Sequence, residues 1–127
     1  MWNYLQARFR SFGYAFKGIA TFFASQAHAK VHLLAIILIS LLGWGLRLSA
    51  NEWVQILICM ALVVVTEAIN TALEFFVDLV SPEYHPLAGK VKDVAAGAVL
   101  LAVIFCAIIW GIIFIPKILL WLDGLAI

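Results

Sequence analysis

Glu67, Asn70, Thr71, Glu74 and Asp78 follow one another at steps of three and four residues. On a helix turning about 100° per residue they fall within about a third of the circumference and extend about 16 Å along it, as one polar stripe. Leu62, Val63, Val64 and Val65 come just before it, which sets Glu67 at membrane depth. A carboxylate there is costly to insert and faces a bundle interior or an aqueous cleft, so it is a functional candidate by default. Asp78 and Glu74 also read as the solvated end of a helix leaving the bilayer, a reading that suits Glu67 poorly. Carboxylates about one turn apart can divide the work of phosphoryl transfer. One holds magnesium on the phosphates while another serves as general base toward an acceptor hydroxyl.

Other polar residues are candidates beside that stripe. Lys92 and Asp93 stand where the next helix is expected to begin, and backbone N–H groups with a lysine favour phosphate there. The plainer alternative is a charge pair at a helix entry. Tyr84 and His85 either contact a base or ribose or pack a turn. His28 and His32 share a helix face at a spacing that suits a metal, with no third ligand nearby in the sequence. Neither GxxxxGK[ST] nor GxGxxG occurs, so a nucleotide site must be assembled from other parts.

These residues need helices to hold them. Of 127 residues, 66% are apolar and 12% charged, too little polar surface to coat a soluble globule. The reading is an all-α membrane protein in one domain over 1–127, with membrane helices at 31–48, 53–80 and 94–120. Val31 to Leu46 carries no formal charge. A Ser49 to Glu52 turn and cap opens the second helix. The third runs uninterrupted from Val94 to Ile115, closed by Pro116 and Lys117, and segment 82–93 reads as a polar loop leading into it. In residues 1–30, Phe9, Phe12, Phe16 and Ile19 recur at helical spacing between Arg8, Arg10 and Lys17. That pattern describes an amphipathic helix on the membrane surface or, failing that, an ordinary bundle helix. Ala95, Ala96, Gly97 and Ala98 would allow close helix approach.

Three spans put the termini on opposite sides. Arg8, Arg10, Lys17, Lys30, Lys90 and Lys92 fall on one side, Arg47 and Lys117 on the other, so the first side is expected to be cytoplasmic. The N-terminus and the 82–93 loop then face ATP together, with the C-terminus outside. A net charge of +1 supports no nucleic-acid partner. Cys59 and Cys106, without CxxC or nearby histidines, read as packing residues. The first 30 residues do not read as a cleaved signal. On residues alone three classes stay open: a membrane lipid kinase, a small oligomeric proton or cation transporter, and a noncatalytic assembly subunit.

The string Glu67-Ala-Ile-Asn70-Thr71-Ala72-Leu73-Glu74, followed by Asp78, Glu83-Tyr84-His85-Pro86-Leu87 and Lys92-Asp93, closely resembles the prokaryotic diacylglycerol kinase family and its undecaprenol kinase branch. The likeness extends from Gly13-Tyr14 and Lys17-Gly18 to Ile115-Pro116-Lys117. It implies a homotrimeric lipid kinase of the bacterial cytoplasmic membrane, three spans and a surface helix per subunit, using ATP with magnesium. By the same resemblance Glu67 is the catalytic base and Glu74 a metal-holding carboxylate. Tyr14, Asn70, Glu74, Asp78, Glu83, His85, Lys92 and Asp93 are then the residues around ATP. At Gln26 the family usually has a second metal-binding glutamate, so an amide oxygen here takes that place.

His32 and the run Asp93 to Val99 resemble the undecaprenol kinase branch, whereas a serine at the place of Ala96 is expected in the diacylglycerol branch. Diacylglycerol has two ester carbonyls beside its hydroxyl, and a selective site would offer them donors. The surface at Ala96 offers none, which favours undecaprenol as the lipid meeting Glu67. Diacylglycerol remains the alternative, with Arg8, Arg10 or the main chain as donors.

Overall fold

The computed structural model describes residues 2–124, leaving aside the side chains of residues 2–5 and 7. Four helices follow in order: α1 (Trp2–Ser25), α2 (Ala27–Gly45), α3 (Ala50–Val80) and α4 (Pro86–Leu122). Three of them, α2, α3 and α4, are long and apolar enough to cross a membrane.

The membrane helices differ from the expected spans at their ends. α2 starts at Ala27 instead of residue 31, because the chain breaks at Gln26, whose backbone is extended, and resumes helix at once. It ends at Gly45 instead of 48. The turn into α3 closes through Leu48 N–H donating to Gly43 O at 3.0 Å, with Arg47 in the left-handed region at φ 50°. Glycine lets this turn close tightly at position 43, because a Cβ there would meet Leu48 Cδ1 at 2.8 Å and the Trp53 ring at 3.0 Å and make both side chains shift.

α3 is capped as expected by Ser49 and begins at Ala50, three residues before the expected 53. Its hydroxyl accepts from Glu52 N–H at 3.4 Å while the Glu52 carboxylate accepts from Ser49 N–H at 2.6 Å, a reciprocal cap.

The polar loop of 82–93 is shorter than expected, since α4 begins at Pro86. Proline at the first helical position has no N–H to waste, and its fixed φ suits the helix. The preceding His85 caps the end, Nδ1 accepting from Leu87 N–H at 3.2 Å. Lys92 and Asp93 therefore lie inside α4, and the free N–H groups expected beside them sit two turns earlier. Nor does Pro116 close the helix, which runs on to Leu122. Past the proline, Ile118 packs on the core and Lys117 bonds Glu52 at 3.2 Å, holding those last turns against α3.

Most of the packing joins α3 to α4. Ile56 and Met60 meet Ile113 and Phe114, with Leu46 and Leu48 of the α2–α3 turn closing the cluster. Further along, Cys59 and Val63 meet Ala102 and Cys106. The small residues let the helices approach until Cys106 Sγ–H donates to the Cys59 carbonyl at 3.4 Å. Both cysteines are buried free thiols, as their apolar setting implied. Of the small residues at 95–98, only Ala95 is buried in this seam, while Ala96 and Ala98 are exposed.

Candidate active site

Beyond Val63 the buried face of α3 turns polar: Glu67, Asn70 and Thr71 are 5%, 7% and 3% exposed. Three helices meet around the first two. A cleft of about 370 Å³ is walled by His28 and His32 of α2, Glu67, Asn70 and Glu74 of α3, and Ala96, Val99, Leu100 and Val103 of α4. Glu67 stands on its inner wall, and no side chain among the described residues bonds its carboxylate. It is placed to accept a proton from a hydroxyl brought into the cleft.

About two turns from Glu67 toward the α3 C-terminus, Glu74 is held between two amides. Asn70 Nδ2 donates to its Oε1 at 3.1 Å, and Gln26 Nε2, from the α1–α2 break, donates to Oε2 at 3.2 Å. The extended backbone at Gln26 is thus what delivers this side chain across the bundle. Asn70 Oδ1 is buried with no hydrogen-bond partner among the described residues. One carboxylate, a flippable amide and an orphaned carbonyl oxygen form a hard-oxygen donor set. It suits magnesium that keeps waters and phosphate oxygens as its other ligands. No group of three or more His, Cys, Asp or Glu among the described residues makes a complete cage. His28 and His32 line the cleft.

A second, polar cavity of about 250 Å³ opens next to it, lined by Asp78, Glu83, Tyr84, His85 and Lys92 among others. Asp78 lies one turn, about 6 Å, beyond Glu74 on α3. Lys92 Nζ bonds Asp78 Oδ1 at 2.5 Å, so its partner is across the helix pair and not its neighbour Asp93. Because His85 Nδ1 accepts a backbone N–H, the neutral ring carries its proton on Nε2, the edge free to donate. The cavity therefore combines a lysine ammonium, an imidazole donor and two carboxylates.

The residues grouped by sequence thus divide in space. Glu67, Asn70, Glu74, Gln26 and Ala96 gather at the cleft, and Asp78, Glu83, His85 and Lys92 at the polar cavity. Asp93, about 100° round α4 from Lys92, is exposed and outside both linings. Tyr14 and Arg10 are exposed on α1, also outside both. The histidines were visible as a pair four residues apart, but their place opposite Glu67 depends on how α2 packs.

Comparison with known proteins gives this arrangement a family. The family model described as prokaryotic diacylglycerol kinase matches residues 13–114. The undecaprenol kinase of Bacillus subtilis (strain 168) is 36% identical over 115 residues, covering 91% of this chain and 94% of that protein. The diacylglycerol kinase of Synechocystis sp. is 39% identical over 110 residues, covering 86% of this chain and 63% of that protein. That of Escherichia coli (strain K12) is 33% identical over 101 residues, covering 80% and 83%. Of the three classes the residues left open, the match decides for the kinase. The chain belongs to the prokaryotic diacylglycerol kinase family of membrane lipid kinases.

Proposed function

We propose that the chain, acting as one domain over residues 1–127 in a homotrimer, transfers the γ-phosphate of ATP to the hydroxyl of undecaprenol. The observation that carries this reading is the cleft itself. Buried Glu67 faces an α4 wall of Ala96, Val99, Leu100 and Val103, which has no side-chain donor. An alcohol whose only polar group is the reacting hydroxyl leaves nothing unpaired against such a wall.

In this reading Glu67 takes the hydroxyl proton as the lipid oxygen bonds to the γ-phosphorus and the bond to the ADP oxygen breaks. Glu74, with the oxygens of Asn70 and Gln26, would hold magnesium, which would supply positive charge against the phosphate oxygens. Lys92 and the His85 Nε2–H bind phosphate from the polar cavity, and Asp78 and Glu83 orient them. Tyr14, Arg10 and Asp93, exposed outside both cavities, complete the site around nucleotide and lipid when subunits assemble. α1 lies on the membrane surface. Phe9, Phe12, Phe16 and Ile19 are 75%, 64%, 69% and 55% exposed, and insertion between headgroups covers them. N-terminus and both cavities face the cytoplasm, C-terminus the outside.

Diacylglycerol is the second reading, favoured by His28 and His32. Their imidazoles line the cleft and can donate to ester carbonyls that the α4 wall ignores. The relatives include kinases named for either lipid at comparable identity. The deciding experiment compares kcat/KM for undecaprenol and diacylglycerol in the same mixed micelles at saturating magnesium ATP. Undecaprenol is expected to lead by at least tenfold, and a lead for diacylglycerol would overturn the choice of lipid while leaving the kinase in place.

A further inference from the structure

Phosphate transfer to undecaprenol leaves two side chains of the cleft without a task. His28 and His32 stand four residues apart on α2, about 40° apart around the helix and about 6 Å apart along it, so they share one face. Both line the cleft, and neither imidazole has a hydrogen-bond or ion-pair partner among the described residues. His28 is exposed and His32, one turn further along, is half-buried, so an ion can reach both.

Two histidines at this spacing on one helix face are the arrangement that grips zinc in an H-E-x-x-H helix, each ring giving one nitrogen about 2.0–2.1 Å from the metal. The sequence around them offers no third ligand. Packing supplies something else, because the carboxylates of Glu67 and Glu74 also line the cleft and no lysine or arginine does. Against those two negative charges the N-terminus of α2 sets only about half a positive charge. The cleft is thus suited to a cation and holds two free nitrogen donors. Since no three His, Cys, Asp or Glu among the described residues form one ligand group, waters complete the shell of an ion held by the pair.

Ligand chemistry selects the ion. Magnesium takes oxygen ligands and gives up its waters reluctantly, so the oxygens of Glu74, Asn70 and Gln26 suit it better than a nitrogen pair. Imidazole suits zinc, nickel and copper. We propose that His28 and His32 form a second metal site, for a divalent transition-metal ion, and that an ion held there inhibits the kinase by standing between the lipid hydroxyl and Glu67. Binding depends on the two histidines alone, whereas the inhibition rests on the lipid-kinase reading above.

The inhibition is tested by titrating zinc against turnover at saturating magnesium ATP. It is expected to be competitive with the lipid and unmoved when free magnesium is raised tenfold. Relief by magnesium would put zinc on the Glu74 oxygens and overturn the proposal. His28→Gln and His32→Gln, each compared with its own metal-free rate, should raise the inhibition constant about tenfold. Potency should fall from copper to nickel to cobalt to manganese. An inhibition constant that neither substitution moves, or an active enzyme that zinc does not inhibit, would overturn it.

Copper reads the site without turnover. His85 is the third histidine of the chain, and His85→Gln leaves only the α2 pair to give an imidazole signal. In that background the electron paramagnetic resonance spectrum of one equivalent of Cu²⁺ should show coupling to two imidazole nitrogens, falling to one when His28 or His32 is also replaced. Coupling to no imidazole nitrogen, or coupling unchanged by either replacement, would overturn the site. If the wild-type protein phosphorylates no lipid, the kinase reading fails, and the copper spectrum still decides whether the pair binds metal.

Discussion

Replacing Gln26 with glutamate turns its contact with Glu74 from attraction to repulsion, and the size of the change follows from the geometry. The Gln26 amide donates to Glu74 at 3.2 Å, and a carboxylate in its place would stand as near with no proton to share. Two unit charges separated by 3.2 Å repel by about 5 kcal/mol at an effective dielectric constant of about 20. Both side chains are flexible and open to the cleft, and drawing apart to about 6 Å reduces this to about 3 kcal/mol. Losing a hydrogen bond to a charged group adds about 1.5–3 kcal/mol to the destabilisation. Magnesium between the carboxylates reverses the sign. Gln26→Glu should therefore melt below wild type in a chelator and recover most of the difference with magnesium and ATP. The magnesium concentration for half-maximal phosphate transfer should fall about tenfold, equivalent to about 1.4 kcal/mol of binding. Thermal unfolding in detergent micelles and a magnesium titration of turnover measure the two effects. An equal loss of Tm with and without magnesium, together with an unmoved titration midpoint, would refute a metal shared by positions 26 and 74.

Glu67→Gln should reduce turnover by a factor of about 10²–10⁴ while leaving magnesium ATP affinity near wild type, whereas Glu74→Gln should weaken both. Equal loss of nucleotide affinity in the two variants, measured by calorimetry, contradicts the division of roles. Gly43→Leu drives a side chain into Leu48 and Trp53, 2.8 Å and 3.0 Å from where its Cβ would sit. It should lower stability by about 1–3 kcal/mol in a detergent-denaturation series with activity per folded molecule unchanged. A neutral result would mean the α2–α3 turn repacks freely. A cysteine placed at Asp123 in a Cys-free background should react with an impermeant reagent only from outside the cell, and labelling from the cytoplasmic face alone would invert the orientation.

Spacing alone made the polar stripe legible, because Glu67, Asn70, Thr71 and Glu74 belong to one helix and their common face needs only its period. Ser49 and Glu52 were legible for the same reason, a cap being a local motif. What stayed hidden depends on contacts between helices. In sequence Lys92 pairs with its neighbour Asp93, but α4 starts at Pro86 and turns Lys92 toward Asp78. The polar residues of 82–93 resemble a loop in sequence, whereas the preference of proline for a first helical position starts α4 at Pro86.

Glu52 accepts from the Ser49 N–H, the Ser49 hydroxyl and Lys117 with a single oxygen, at 2.6 Å, 2.8 Å and 3.2 Å. At that end α3 and α4 are clasped, and Ile56, Met60, Ile113 and Phe114 fill the seam just inside the clasp. At the other end the short loop 81–85 joins them covalently, beside an exposed ion pair, Lys92 to Asp78, of a kind worth about 0–1 kcal/mol. The hairpin is therefore fastened at both ends, by chain at one and by the Glu52 clasp at the other, and behaves as a closed frame. Exchanging the weak ion pair for contacts to an anion then alters the polar cavity without parting the helices. Hydrogen exchange should report this directly, with amides near Ile56 and Ile113 protected throughout and any change on adding magnesium ATP confined to the loop and the first turns beside it. Loss of protection near Ile56 and Ile113 on adding magnesium ATP would mean that the frame opens.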